Sequence, residues 1–217
     1  MPYLRTPLDD LLSSRSKLRL LRRLANGHND LSGRELARRA GVTWRAAELA
    51  LRDLVQLGVV RRADARGQAR YSLVGTHVLI AHAVAPLFEA ERAWIEVVRR
   101  EISRALRPEG GGPQDIRWAG LYGSAARGED RPSSDLDVAV VAESVTATAR
   151  VRLQLQMPET RSRLLARIGR SPSVLVYPPA HWRKLIAANA EMRLALTRDA
   201  IRLMGDTSFE EAIERGA

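Results

Sequence analysis

The sequence predicts an α+β protein of two modules. Three observations carry that prediction: short amphipathic helices followed by a basic hairpin in the first third, a strand–turn–strand segment at 116–141, and helical patterning in the remainder. The expected boundaries are 1–75 for the first module, 76–106 for a helical connector and 107–217 for a small mixed-sheet domain with C-terminal helices. At 217 residues, two compact modules fit the usual size of single cores. Apolar residues at 45% and charged residues at 28% are ordinary globular usage, which excludes a disordered or fibrous chain.

The absence of cysteine excludes disulfides, thiolate-held zinc and thiol nucleophiles, and suits a reducing compartment. Residues 1–10 lack a basic start followed by an apolar run, and no 18-residue apolar stretch occurs. Neither a signal peptide nor a membrane span is expected, and a cytoplasmic location follows as an expectation.

Net charge is +10, almost wholly from arginine, since Lys17 and Lys184 are the two lysines. Residues 1–75 hold 15 basic and 7 acidic side chains, so most of the excess lies there. A basic segment of this kind attracts polyanions, and arginine matches phosphate through its planar fork. The alternative source of the bias is an arginine-rich composition inherited from a GC-rich genome.

Leu18, Leu21 and Leu24 recur at helical spacing up to a stop at Asn26-Gly27. Ser32 and Glu35 have capping-box spacing before Leu36, Ala37 and Ala40, and Gly41 ends that helix. Thr43 caps a third helix in which Ala47, Leu51 and Leu54 share a face, with Gly58 as its stop. Val59–Arg62 and Ala69–Leu73 then read as a hairpin around a turn at Ala63–Gln68.

The segment 17–73, with its "ELARRAGV" turn and its "LVQLGVVRR" run, resembles winged helix-turn-helix domains of bacterial transcription regulators. The resemblance implies binding of double-stranded DNA. Thr43, Trp44, Arg45, Glu48 and Arg52 would face the major groove, and Arg61, Arg62 and Arg66 of the wing would reach phosphates. A winged helix used for protein contacts is the alternative.

Residues 76–106 are rich in helix formers, broken at Pro86, and Leu87, Trp94, Val98, Ile102 and Ala105 then recur near the helical period. One helix of about five turns is expected, its stripe packing on the second module or on a twin chain. A homodimer is favoured, because two-fold DNA sites pair with two-fold proteins. His77 and His82 stand five apart, a poor spacing for ligands on one helical face. Arg107–Gln114, with Pro108, Gly110–Gly112 and Pro113, reads as a flexible joint.

In "IRWAGLYGSAARGEDRPSSDLDVAVV" an apolar run, 116–122, turns at Gly123-Ser124, and an apolar β-branched run follows at 136–141. Gly123 lets the backbone approach an anion, and Ser124 adds a hydroxyl and an N–H at a helix start. Asp135 and Asp137 stand two apart, so a strand turns both to one side, where they can share a divalent cation.

Glycine-serine, ten residues, then Asp-x-Asp between two apolar strands resembles the nucleotidyltransferase superfamily related to DNA polymerase beta, and its minimal bacterial members above all. The resemblance implies that Gly123 and Ser124 hold the phosphates of a nucleoside triphosphate, expected to be ATP. It implies that catalytic Asp135 and Asp137 bind Mg2+ (or Mn2+), with Arg127 supporting the loop or a phosphate. Active members add a third carboxylate from the next strand. Here that strand reads as 173–177, after one amphipathic helix over 148–168, and Ser173 stands where the acid is expected. Glu143 and Glu159 sit at no matching position.

The tail from Pro178 reads as helical through Trp182, Leu185 and Ile186 and again through Met192 to Ile201, a cap on the sheet. Two functions therefore stand side by side. One is nucleotidyl transfer to a protein or nucleic-acid acceptor by a DNA-binding protein. The other is a transcriptional regulator whose inactive second module senses nucleotide or docks a partner. A third, drawn from the minimal-family resemblance alone, is a partner of a separate toxin chain.

Overall fold

The computed structural model describes residues 4–27, 30–65, 67–107, 115–170 and 172–214. The chain divides into two compact units, Met1–Ala93 and Trp94–Ala217. It is an α+β protein with two separate sheets.

In the first unit, α1 (Pro7–Leu11) buries Leu11. In α2 (Arg15–Ala25) the Ser14 side chain accepts from Lys17 N, and Leu20, Leu21 and Leu24 are buried. Lys17 is itself buried without being orphaned. Its Nζ donates to Asp10 O at 2.9 Å and Ser13 Oγ at 3.1 Å and pairs with Asp53 Oδ2 at 3.0 Å.

A two-residue strand β1 (Leu31–Ser32) leads into α3 (Gly33–Ala40), whose Ser32 Oγ accepts from Glu35 N at 3.3 Å. Only half of the expected capping box forms, because the Glu35 carboxylate turns to Arg38 and Arg39 instead, at 2.7 and 2.6 Å. Gly41, at φ 63°, closes α3 in the left-handed conformation that favours glycine, and its carbonyl accepts from Arg19 Nη1 at 2.8 Å. Thr43 then caps α4 (Trp44–Gln56), accepting from Ala46 N at 3.3 Å.

The hairpin is tighter than expected. β2 (Val60–Ala65) and β3 (Gln68–Leu73) pair down to Ala65↔Gln68, and β1 pairs on the other side of β3.

The stretch 76–106 is split between the units, where one connecting helix is expected. Ile80–Val84 forms one wide turn in which Ala85 N–H donates to Ile80 O, immediately before Pro86, which has no N–H to give. Ile80, Val84 and Phe88 of this turn and of α5 (Ala85–Arg92) are buried in the first unit's core. Arg22 and Glu91 tie α5 to α2 at 2.5 and 2.8 Å. The second helix, α6 (Trp94–Leu106), buries Val98, Ile102, Ala105 and Leu106 in the core of the second unit. The expected joint at 107–114 lies, except for Arg107, outside the described residues.

The second unit is built on a four-stranded mixed sheet. β4 (Ile116–Tyr122) and β5 (Leu136–Ala142) are antiparallel, and β5 runs parallel to β6 (Pro172–Tyr177). The sheet order is β6-β5-β4-β7, with β7 being Ile201–Met204. This fourth strand corrects the helical reading of the tail at Ile201. The open edge of β4 takes up the segment, with Leu121↔Ile201 and Gly120↔Arg202 as partners, so tertiary pairing overrides a local pattern of only four residues.

A one-turn helix α7 (Gly123–Ala126) follows β4. The single helix expected at 148–168 is two, α8 (Val145–Gln156) and α9 (Pro158–Ile168), because Pro158 begins a new helix and forces Met157 into extended backbone.

One face of the sheet, with Leu121, Val138, Val140 and Val176, packs under α6, α8 and α9. The other face, with Trp118, Ala139 and Val141, packs on α10 (Pro179–Ala188) and α12 (Phe209–Glu214). There Trp182 is fully buried and its Nε1 donates to Val140 O at 2.8 Å. Between α10 and β7 lie α11 (Ala190–Leu194) and a wide turn at Ala195–Asp199. Among the described residues no helix is long and apolar enough to cross a membrane.

Candidate functional site

The polar end of the second sheet face gathers the sequence motif. Alternation along β5 puts Asp137 on the face that continues inward as Ala139 and Val141, while Leu136 and Val138 point into the opposite core. Asp135, directly before the strand, is exposed, and Asp137 is half-buried. The two carboxylates feel each other. Burial first, and the charge of Asp135 second, hold Asp137 above the usual carboxylate range.

Register fixes what flanks Asp137. Tyr122 is its partner on β4 and Ser173 its partner on β6. Burial, then the charges of Asp137 and Tyr177, push the Tyr122 phenol up, so it stays protonated beside the carboxylate.

The turn after β4 closes against the same acid. Gly123 sits at φ 72°, and a Cβ there would lie 2.6 Å from Asp137 Oδ2. Only glycine meets both demands. Ser124 is the second residue of α7, which at four residues is too short for a substantial macrodipole and offers instead the backbone N–H groups of its first turn and a hydroxyl.

Arg127 is engaged within its own loop. Its Nε pairs with Glu129 at 2.8 Å, and Glu129, then Asp199 and Glu191, hold its guanidinium further toward the charged form. Strand register brings Tyr122 to the site and the segment before β7 brings Glu191 and Asp199 near Arg127, none of which is legible in the sequence, whereas Glu129 lies two residues from Arg127 in the motif itself.

Ser173 is exposed, and β6 supplies no carboxylate beside Asp137. Glu143 is exposed and taken up by Arg117 in a bidentate pair at 2.5 and 2.6 Å, which holds its carboxyl below the usual range and makes it a structural clamp. Glu159 lies in the first turn of α9 and is exposed. Among the described residues no group of three His, Asp or Glu side chains is arranged to hold a metal ion.

In the first unit, Thr43, Trp44, Arg45, Glu48 and Arg52 are all exposed along α4, and Arg61 and Arg62 are exposed on β2. Arg62 pairs loosely with Asp64 at 3.4 Å. Arg66 lies outside the described residues. Two of these residues have structural work of their own: Thr43 is the α4 cap, and the Trp44 ring covers Gly33, where a Cβ would be 2.8 Å from Cζ3. Leu49 stands among them at 51% exposure.

Among curated proteins none matches the chain significantly. Among solved structures it is similar to one described as "Crystal structure of the toxin-antitoxin with AMP-PNP", at 19% identity over 53% of this chain and 79% of that chain, with a TM-score of 0.34. Residues 111–173 match the model of a family described as "Polymerase beta, Nucleotidyltransferase". The second unit carries a nucleotidyltransferase-type domain.

Proposed function

We propose that this chain binds double-stranded DNA through its first unit and a nucleoside triphosphate through its second, and transfers a nucleotidyl group to a protein or nucleic-acid acceptor. The observation that carries the second half is the seating of Asp137 against Gly123, which joins the anion-binding turn to the acidic pair. Gly123 and Ser124 receive the triphosphate, with ATP as the expected nucleotide. Asp135 and Asp137 are the catalytic carboxylates.

The donor set fits one divalent cation: two carboxylates two residues apart, of which Asp137 is held above its usual range by burial first and by the charge of Asp135 second. Bound Mg2+ (or Mn2+) supplies charge neutralisation of the phosphates and of the departing pyrophosphate. Tyr122 stays neutral beside Asp137 and adds no charge to the pair. Arg127 braces the loop through Glu129 and leaves the phosphates to the backbone of the turn.

Pairing of Ser173 with Asp137 favours a second reading, in which nucleotide is bound and sensed without transfer. Loss of one electrostatic group in a preorganised site costs about 10²–10³ in rate, so the two readings differ in rate and not in binding.

The first half rests on the basic excess of residues 1–75 and on the exposed arginines of α4 and β2 behind a three-helix, winged arrangement. A homodimer matched to a two-fold site is the expected form, and a separate protein chain, acceptor or toxin, is the expected second partner.

The test uses α-labelled ATP, Mg2+ or Mn2+ and cell extract, with the intact chain and an Asp135→Asn/Asp137→Asn variant. Label transferred by the intact chain and lost in the variant supports transfer. Saturable nucleotide binding without label supports the sensing reading. Label that survives the double substitution removes the site assignment.

A further inference from the structure

On α4 the residues Ala47, Ala50, Leu51 and Leu54 are buried, and the side of the helix directly opposite carries Arg45, Leu49, Arg52 and Gln56 at intervals of four, three and four. Leu49 is therefore at the crest of the outer ridge, 51% exposed, and belongs to none of the chain's apolar clusters. Among the described residues no ion pair or hydrogen bond engages the guanidinium groups of Arg45 and Arg52.

Another exposed leucine of this unit, Leu87, belongs to a different helix, α5. Leu49 instead stands between two unpaired cations on a strongly basic unit. Charge complementarity thus selects a polyanion for this ridge, and an apolar group is the partner Leu49 needs within it. The major groove offers one such group on a base edge, the thymine 5-methyl.

We infer that Leu49 reads a thymine 5-methyl group in the major groove, flanked by Arg45 and Arg52 on neighbouring guanines or phosphates. The inference rests on the DNA-binding reading above and adds a base preference to it. It also separates the outer residues of α4 into a discriminating centre and electrostatic flanks.

The test selects bound duplexes from a random library with the full chain. Each thymine of the recovered site is then replaced by deoxyuridine, which differs only in lacking the methyl group. Burial of one methyl corresponds to about 4-fold in affinity. The expected result is a position where this replacement weakens wild-type binding by about that factor, while Leu49→Ala binds the thymine and uracil duplexes equally. Leu87→Ala, an exposed leucine off the ridge, keeps the wild-type ratio.

Three results overturn the inference. In the first, DNA is bound but no thymine is methyl-sensitive. In the second, the penalty is unchanged in Leu49→Ala. In the third, Leu49→Ala changes the oligomeric state and leaves the thymine ratio intact, which assigns the leucine to a protein contact. Failure to recover any duplex removes the DNA-binding reading together with the inference, so the two failures are distinguishable.

Discussion

Gly123 and Asp137 are in direct apposition: a single methyl group added to the glycine would approach the carboxylate Oδ2 to 2.6 Å. At φ 72° the same substitution also strains the backbone. Gly123→Ala is expected to weaken nucleotide binding at least tenfold and to cost about 1–3 kcal/mol of stability. Gly128 is the internal control. It has φ 69°, but nothing lies within 4 Å of its added Cβ, so Gly128→Ala carries the strain without the collision and leaves nucleotide affinity near wild type. Titration with a non-hydrolysable ATP analogue, followed by thermal unfolding, separates the two.

Asp137 makes the site cost stability at neutral pH. Its folded-state pKa is raised, by burial first and Asp135 second, so the folded chain holds the proton more tightly than the unfolded chain. Stability therefore falls as pH rises from the unfolded value of about 3.9 through the folded one, and the cost is absent below that window. Asp137→Asn is expected to raise Tm by about 1–2 °C at pH 7 and by nothing at pH 3 while abolishing nucleotide binding. A Tm that drops at pH 7 would overturn this account of the pair. In the wild type, nucleotide and metal affinity should fall together as pH is lowered through the Asp137 titration.

Ser173 gives a gain-of-function test. Register places it directly across from Asp137 on a parallel strand, and it is exposed. Ser173→Asp supplies a carboxylate where β6 lacks one. Label transfer should rise by about 10²-fold, with tighter apparent Mg2+ affinity and a further raised Asp137 pKa. Unchanged transfer with tighter metal binding would show that a third acid at this register is insufficient for turnover.

Arg61 and Arg62 are both exposed on β2. Arg61→Ala/Arg62→Ala should weaken DNA binding at all sequences and reduce the slope of log affinity against log salt by about 2. A slope equal to wild type would turn the hairpin away from DNA.

What the sequence exposed was local. Ser32, Gly41 and Thr43 are capping signals within three residues of the backbone groups they serve, and each acts as its residue type dictates. The alternation around Asp137 is likewise a property of one strand. What stayed hidden was set by distant segments. Ile201 is a strand residue only because β4 has an open edge 80 residues earlier. The helical stripe 76–106 conceals a division between two cores, since a periodic pattern reports that a face is buried and not against what. Leu49 carries no signal of its own in the sequence, because a leucine at helical spacing reads as core and only the fold shows it exposed.

The pairing of Leu121 with Ile201 has a consequence for synthesis. While the ribosome is still making the tail, the strand that ends at the Gly123 turn has β5 on one flank and an unsatisfied row of amides and carbonyls on the other. A chain halted before position 201 is therefore expected to be adhesive, since β4 gains its second partner only when Ile201–Met204 folds back onto it.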